Sequence, residues 1–505
     1  MKTIAIVLAP AAALLLAGCA AGPDYVRPAL PPAARFAPQD LPASTASAPG
    51  AGGAAQHFHT GQAVRADWWT LFGSPQLNQL IAAAYAASPT LAAAQAALRG
   101  AQENVAAQRG AAYPTVSASY APSRTKVAGN QGGSAPGLQG DGSSIETGPG
   151  SEPVIYTYHT AQLTVGYAPD VFGANRRQVE ALDAQAGGQA FQLQAAYLTL
   201  ASNLVGAAIA EALLREQIAI TQAIVEADTQ SVALLRRQQH AGFASNLDIS
   251  LQEGALLQAQ QLLPPLARQL EQTRNELRAL SGKAPDQELA QVFDAATLQL
   301  PLELPLSLPS QVVAQRPDVR AAEAQVRAAS AQLGVAAANR LPQFSIDATL
   351  GGAAGHVSQM FWGSGTFFNL VGNVAQPLFD GGALRHRQLA AQAALEQAGA
   401  QYQATVLTAF QNVADTLRAL HADADALQVA VAAERNAAAS LALVRRQLVR
   451  GYVDRLALIG AEQALRQAGL NLAQARANRL GDTAALFQAL GGGWWDRAGQ
   501  QAYQP

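Results

Sequence analysis

Arg316-Pro317-Asp318-Val319-Arg320-Ala321-Ala322-Glu323-Ala324-Gln325-Val326, ending in Leu341-Pro342, answers to Ser88-Pro89-Thr90-Leu91-Ala92-Ala93-Ala94-Gln95-Ala96-Ala97-Leu98, ending in Tyr113-Pro114. The first and second prolines are equally far apart in both stretches. Further on, Leu235-Arg236-Arg237-Gln238-Gln239-His240-Ala241-Gly242-Phe243 answers to Val444-Arg445-Arg446-Gln447-Leu448-Val449-Arg450-Gly451-Tyr452. Leu247, Glu253 and Leu256 then align with Leu456, Glu462 and Leu465. Units of roughly 210 to 230 residues are too long for a small solenoid repeat, so the chain reads as a duplication of one unit.

Each half is predicted to run helix, two strands, very long helix, glycine, helix. Leu, Val and Ala recur at helical spacing from about Asn175 to His240 and from about Ala383 to Arg450, with almost no Pro or Gly. Helices of about 65 residues would measure ~100 Å and need side-by-side packing to be stable. Gly242 and Gly451 each follow a basic helical end, where a left-handed cap residue is expected, and an amphipathic helix follows each. They are the predicted tips of helix hairpins.

The candidate strands lie between the first helix of each half and its long helix. Gln343 to Leu350 alternates, with Phe344, Ile346, Ala348 and Leu350 on one face and Gln343, Ser345, Asp347 and Thr349 on the other. Bulky apolar residues outside and polar ones inside is the membrane-barrel pattern. Tyr113 to Tyr120, Tyr156 to Tyr167 and Thr366 to Ala375 are similar but weaker, and the Gly- and Ser-rich stretch from Ser123 to Pro153 reads as a loop. The smallest membrane barrels need about eight strands, so four per chain imply a homo-oligomer.

At the N-terminus, Lys2, an apolar run from Ile4 to Leu16 and Leu16-Ala17-Gly18-Cys19 form a short export signal. The last four residues resemble a bacterial lipobox, which makes Cys19, the only cysteine in the chain, the expected lipidation site. Ala20 in second place implies sorting to the outer membrane. Residues 1–18 are therefore read as signal peptide and 19–66 as a lipidated tether, since Gly22 to about Arg65 is rich in Pro, Ala, Gly and Ser. Residues 67–299 form the first repeat, 300–315 a linker with Pro301, Pro305 and Pro309 and no expected helix from Leu300 to Pro309, 316–494 the second repeat and 495–505 a tail.

The 505 residues are 50% hydrophobic but only 6% aromatic and 13% charged, so the apolar content is chiefly alanine, which suits closely packed helices. A net charge of −2 argues against a nucleic-acid partner. Arg, Gln, Glu or Asp interrupts every Ala-rich segment, so no helical membrane span is expected after the signal and a closed barrel is the remaining way across. No catalytic residue, cofactor site or metal site is expected. The sequence lacks Gly-x-Ser-x-Gly and His-Glu-x-x-His, and the pair His57-Phe58-His59 has no third ligand nearby. Ser281-Gly282-Lys283 lacks the glycine spacing of a phosphate loop. Trp68-Trp69 and Trp494-Trp495 read as packing residues.

Six segments in series resemble the TolC-like outer-membrane factors, in the OprM/NodT-type lipoprotein subfamily. They are Cys19 to Pro28, Asp67-Trp68-Trp69-Thr70-Leu71-Phe72, Asp170-Val171-Phe172-Gly173, Arg316-Pro317-Asp318 with Ala321-Ala322-Glu323, Pro377-Leu378-Phe379-Asp380-Gly381-Gly382, and Ala489-Leu490-Gly491-Gly492-Gly493-Trp494. The resemblance implies a mainly α-helical homotrimer. Three protomers would give four strands each to a twelve-stranded barrel in the outer membrane of a Gram-negative bacterium, above a periplasmic helical tunnel. It further implies a passive efflux duct that docks with a periplasmic adaptor (membrane fusion) protein and an inner-membrane pump of the RND class.

By the same resemblance, Asp248 falls where the family places an acid that restrains the closed tip, and Leu456 matches a constricting apolar position. Gly460 and Gln463 depart from the family's usual aspartate and arginine, which implies a less acidic entrance. The alternative from the residues alone is a periplasmic coiled-coil scaffold lipoprotein without a pore, which would need neither the alternating strands nor the paired halves.

Overall fold

The computed structural model describes residues 21–29, 35–36, 42–127, 133–134, 146–147 and 153–496. Cys19 and the signal before it lie outside the described residues, as do most of the tail and of the Gly- and Ser-rich loop. The N-terminal arm contributes β1 (His57–Thr60), followed by α1 (Pro75–Ala87) and α2 (Pro89–Gly110). The first half continues through β2 (Thr115–Val127), the two-residue strands β3 (Gly133–Ser134) and β4 (Glu146–Thr147), β5 (Val154–Tyr167), α3 (Ala174–His240) and α4 (Asn246–Leu280). After β6 (Glu303–Leu306), the second half repeats the order as α5 (Pro309–Gln315), α6 (Pro317–Ala338), β7 (Gln343–Ala354), β8 (Thr366–Ala375), α7 (Ala383–Val449) and α8 (Arg455–Ala489).

The duplication is kept to the residue in the four longest helices. One constant shift carries Ala174 to Ala383, His240 to Val449, Asn246 to Arg455 and Leu280 to Ala489, so α3 and α7 each span 67 residues and α4 and α8 each span 35. At 1.5 Å per residue, α3 and α7 are each about 100 Å long. Helices of this length carry little independent stability and depend on the apolar stripe they bury. Leu204, Val205, Leu235, Val406, Val413, Leu420 and Leu427 are among the residues that fill those stripes.

The chain divides into two compact units. The first takes its described residues from Met1–Arg27, Arg99–Ala186 and Ala324–Gly399 and holds the sheet β2-β5-β7-β8. The second takes Pro28–Leu98, Gly187–Glu323 and Ala400–Pro505. Both tryptophan pairs pack in the second unit. Trp68 is fully buried and stacks on Phe487 at 5.2 Å, while Trp494 Nε1 donates to the Gln315 carbonyl at 2.6 Å.

Two expectations need correction. The stretch from Gly22 to Arg65 is not a free tether over its second part. β1 pairs in parallel with β6, Gln56 is buried and donates to Pro301 O and Thr483 Oγ1, and Arg479 of α8 reaches the carbonyls of Gly52 and Ala54 and the Thr45 hydroxyl. Pro- and Ala-rich composition hid this because the order comes from backbone groups and one distant arginine, not from side-chain periodicity. The second correction concerns α3, which does contain a window apolar enough to cross a membrane; 56% of that window is buried inside the structure, so packing accounts for its hydrophobicity.

The halves hold their interiors differently. Glu211 of α3 is fully buried between Arg215 at 2.7 Å and Arg274 of α4 at 2.8 Å. The matching rung of the second half carries Leu420 and Thr483, and a different cluster serves it nearby. There, burial and a hydrogen bond with Asp482 push the Asp423 carboxyl up to about 7, against the pull of Arg479. Burial in turn lowers the Arg479 pKa below the ordinary guanidinium value.

Candidate functional site: the two-faced sheet and the hairpin tips

Register makes the four-stranded sheet amphipathic across its whole width. One row reads Val116, Val165, Ala348, Leu370, and the next row on that face reads Ala118, Leu163, Leu350, Phe368. The opposite face carries Ser117, Thr164, Thr349 and Asn369 in one row and Ser345 paired with Asn373 in another. Val116, Leu350, Phe368, Leu370 and Val374 are exposed, with Phe368 82% accessible, so the apolar face has no cover among the described residues. An exposed apolar face of this kind fits hydrocarbon, and the polar face fits a wet lumen.

Among the described residues β2 and β8 are the outer strands of this sheet, and each has one edge of backbone N–H and C=O groups without a partner strand. Such edges are not tolerated in a bilayer. All three pairings are antiparallel and the strand number is even, so β8 set beside β2 of a second copy would run antiparallel to it and continue the same ladder. This closure is open to further copies of the chain without any change of strand order.

The hairpin tips lie in the second unit and are alike in backbone. Gly242 (φ 79°) and Gly451 (φ 74°) adopt the left-handed conformation as anticipated. Phe243 N donates to Gln238 O and Gly242 N to Gln239 O, both at 2.8 Å. Tyr452 N and Gly451 N repeat the pattern on Gln447 O and Leu448 O at 3.0 Å. These are Schellman caps, which satisfy the last helical carbonyls and reverse the chain. Phe243 and Tyr452 project from them at 85% and 76% exposure.

Each returning helix then starts on one acid, at different positions. Ser245 caps α4 and accepts from Asp248 N, while the Asp248 carboxylate accepts from Ser245 N at 2.9 Å and from its hydroxyl at 2.7 Å. α8 instead has Asp454 as cap, accepting from Ala457 N at 2.9 Å. The hydrogen bonds from Ser245, with a smaller contribution from the Arg455 charge, hold Asp248 below the usual carboxylate range. Arg455, at the start of α8, also donates to Gln238 of α3 at 3.0 Å and so ties one hairpin to the other. Leu456 is 58% exposed beside it.

Further from the tips the halves share a strut. Arg236 to Glu253 at 2.7 Å repeats as Arg445 to Glu462 at 3.1 Å. The sequence alignment contained these residues, but spacing alone did not reveal that they pair across antiparallel helices. Between the hairpins, Asp228 is buried and accepts from Gln252 at 2.9 Å. Burial and the Glu462 charge raise its pKa, while Arg466 and the Gln252 bond oppose that rise. Sequence reasoning missed Asp228, because a lone aspartate in a helix reads as surface.

The structure thus brings Asp248, Arg455 and Gln238 together at the tips, and leaves Gly460 and Gln463 within α8. His59 meets Glu303 across β1 and β6, and among the described residues no three His, Cys, Asp or Glu side chains gather as metal ligands.

Residues 80–283 and 308–492 match the family described as outer membrane efflux protein. The chain is 28% identical over 427 residues to the pyoverdine export outer membrane protein OpmQ of Pseudomonas putida, covering 85% of this chain and 88% of that one. It is 27% identical over 498 residues to the probable efflux pump outer membrane protein TtgC of the same species, covering 97% and 96%. Among solved structures, the outer-membrane channel OprN superposes with a TM-score of 0.80 at 26% identity, covering 94% of this chain and 100% of that chain.

Proposed function

We propose, for a chain that belongs to the outer membrane efflux protein family, that three copies close the amphipathic sheet into a twelve-stranded barrel. The protein is an outer-membrane channel of a tripartite efflux system, with a helical part in the periplasm. The observation that carries the trimer is the sheet itself, whose one apolar face runs across four strands and whose two outer edges are complementary and unpaired. Three times four strands clears the minimum of about eight for a membrane barrel and is the count that the family resemblance implies.

Cys19 is the proposed lipid attachment site, which adds an anchor to the barrel. At the periplasmic end, Asp248 and Leu456 are the proposed gate: the acid is drawn toward Arg455 of the other hairpin, and Leu456 stands exposed at the same level. The partners proposed are a periplasmic adaptor protein, met by the exposed apolar tips Phe243 and Tyr452, and an inner-membrane pump of the RND class. The relatives' names speak of pyoverdine and efflux pumps, which supports small molecules as the cargo.

Single-channel recording in planar bilayers tests the gate. The purified protein is expected to give rare, brief openings, and Asp248→Ala is expected to raise the open fraction several-fold by removing the acid beside Arg455. An unchanged open fraction in that variant, with folding intact by circular dichroism, removes Asp248 from the gate.

A further inference from the structure

We propose that the outer rim of the sheet is a binding surface for the phosphorylated glycolipid of the outer leaflet, lipopolysaccharide, with Arg124 and Lys126 of β2 as its phosphate ligands. The proposal rests on the reading of the apolar face as the lipid-facing side of a barrel. The two ends of that face are distinct. α2 leads into β2 and β5 leads into α3, so Thr115 and Gly166 mark the end of the sheet nearest the helices, and Val127 and Val154 the end farthest from them. With the helices in the periplasm, the far end is the outer one.

Along β2 the lipid-facing positions are Val116, Ala118, Tyr120, Pro122, Arg124 and Lys126, because successive side chains alternate between faces. The series starts apolar and ends in two exposed cations. At ~3.4 Å per residue and a tilt of about 40°, Arg124 stands ~21 Å above Val116 along the membrane normal and Lys126 ~26 Å above it. The apolar band of a membrane barrel is about 25 Å tall, so both cations fall at its outer border and not in hydrocarbon.

Aromatic groups mark the same border on the neighbouring strands. Tyr120 stacks on His159 of β5 with ring centroids 6.1 Å apart, and its hydroxyl hydrogen-bonds to His159 Nδ1 at 2.8 Å. The turn after β7 folds back over this face: a side chain at Gly352 would collide with the Met360 carbonyl and, at 2.9 Å, with the Phe361 ring. Phe361 and Trp362 are both exposed there. Rings that are apolar at one end and polar at the other collect at membrane–water interfaces, so the charge of Arg124 and Lys126 begins where the girdle ends.

The charge is of one sign. Beyond Tyr120 the other lipid-facing positions of β2 and β5 are Pro122, His159, Thr157 and Ile155, without an acid. The patch belongs to the first hairpin alone. β2 and β5 stay paired up to Val127 and Val154, whereas β7 leaves β5 at Ala354, and the turn from 355 to 365 contains no Lys or Arg. A guanidinium can hold a phosphate through two parallel N–H···O bonds, and the lysine adds a point charge about 7 Å along the same face. The outer leaflet at this height presents the phosphates of lipopolysaccharide, which is why that lipid is the ligand and not a phospholipid of the inner leaflet.

Native mass spectrometry of the full-length protein in detergent, titrated with hexa-acylated bis-phosphoryl lipid A, tests the surface. The parent trimer should retain lipid A, and Arg124→Ala/Lys126→Ala should weaken retention at least about ten-fold, as two interfacial cations warrant. Monophosphoryl lipid A should bind the parent several-fold more weakly and the double variant no differently from the parent lipid. Phosphatidylglycerol should bind the parent several-fold more weakly than lipid A. Both side chains are exposed, so the variant should remain a trimer, which the same spectra verify. A trimeric double variant that keeps the parent's affinity, a parent indifferent to the lost phosphate, or a parent that holds phosphatidylglycerol as tightly as lipid A overturns the surface. A trimer without lipid A adducts overturns the surface alone, whereas a protein that runs as a single chain overturns the barrel and the surface together.

Discussion

The two hairpins have equal helix lengths, the same glycine caps and the same Arg-to-Glu strut, yet they are held by different interiors. The first is closed by Glu211 between two arginines and carries Pro264-Pro265 inside the continuous α4. The second is closed by Arg479 and an arm that wraps onto it from outside the repeat. Duplication has preserved what sets backbone geometry and released what sets local rigidity. A tunnel wall needs its long helices to match in length, whereas the packing inside each hairpin is free to differ.

The sharpest way to break this contrast is to remove its anchor. Arg479→Ala should destabilise the protein by about 3–5 kcal/mol, because it strands the buried Thr45 and Gln56 side chains and the Asp423–Asp482 pair. Leu270→Ala, at the equivalent rung of α4, should change stability by less than about 1 kcal/mol. Denaturant melts compare the two, and proteolysis of residues 45–56 should accelerate only in the first.

Exchanging the prolines comes next. Ala473→Pro should cost about 3 kcal/mol or more, since it removes a backbone bond in a tightly packed helix. Pro264→Ala/Pro265→Ala should raise stability by about 1–3 kcal/mol at a rung with little packing to disturb. Equal and opposite effects would show that the rungs are equivalent and erase the asymmetry.

A smaller effect separates the interiors by pH. Asp423 titrates near 7 when folded, above the value of about 3.9 for an unfolded aspartate. The folded state therefore binds a proton that the unfolded state has released, and stability falls as pH rises from about 4 to 7, then levels off. After solvent screening the loss should be about 1 kcal/mol, read as a fall in Tm that Asp423→Asn abolishes. Smallest of all, Asp248→Ala should cost the capping box of α4 about 0.5–1 kcal/mol in a thermal melt.

The sequence made some of this legible for physical reasons. The long helices were visible to within a residue because apolar periodicity continues over many turns and stops at Gly242 and Gly451. β8 was found from Thr366 to Ala375, but β2 and β7 run on to Val127 and Ala354, because ladder pairing continues through Gly351 and Gly352, where the alternation has lapsed. The arm escaped notice since β1 finds its partner in β6 of the linker, far along the chain, and neither strand has a pattern of its own. Asp248 was visible at the tip, and its bond to Ser245 is a local capping contact, but its attraction to Arg455 emerges only when the hairpins are placed side by side.

Native mass spectrometry of the detergent-solubilised protein tests the central claim most directly. The open edges of β2 and β8, together with the twelve-stranded barrel that the family resemblance implies, predict a particle of three chains that resists dissociation until the sheet melts. A monodisperse single chain that retains its strands by circular dichroism would contradict it, because four strands alone cannot enclose a channel.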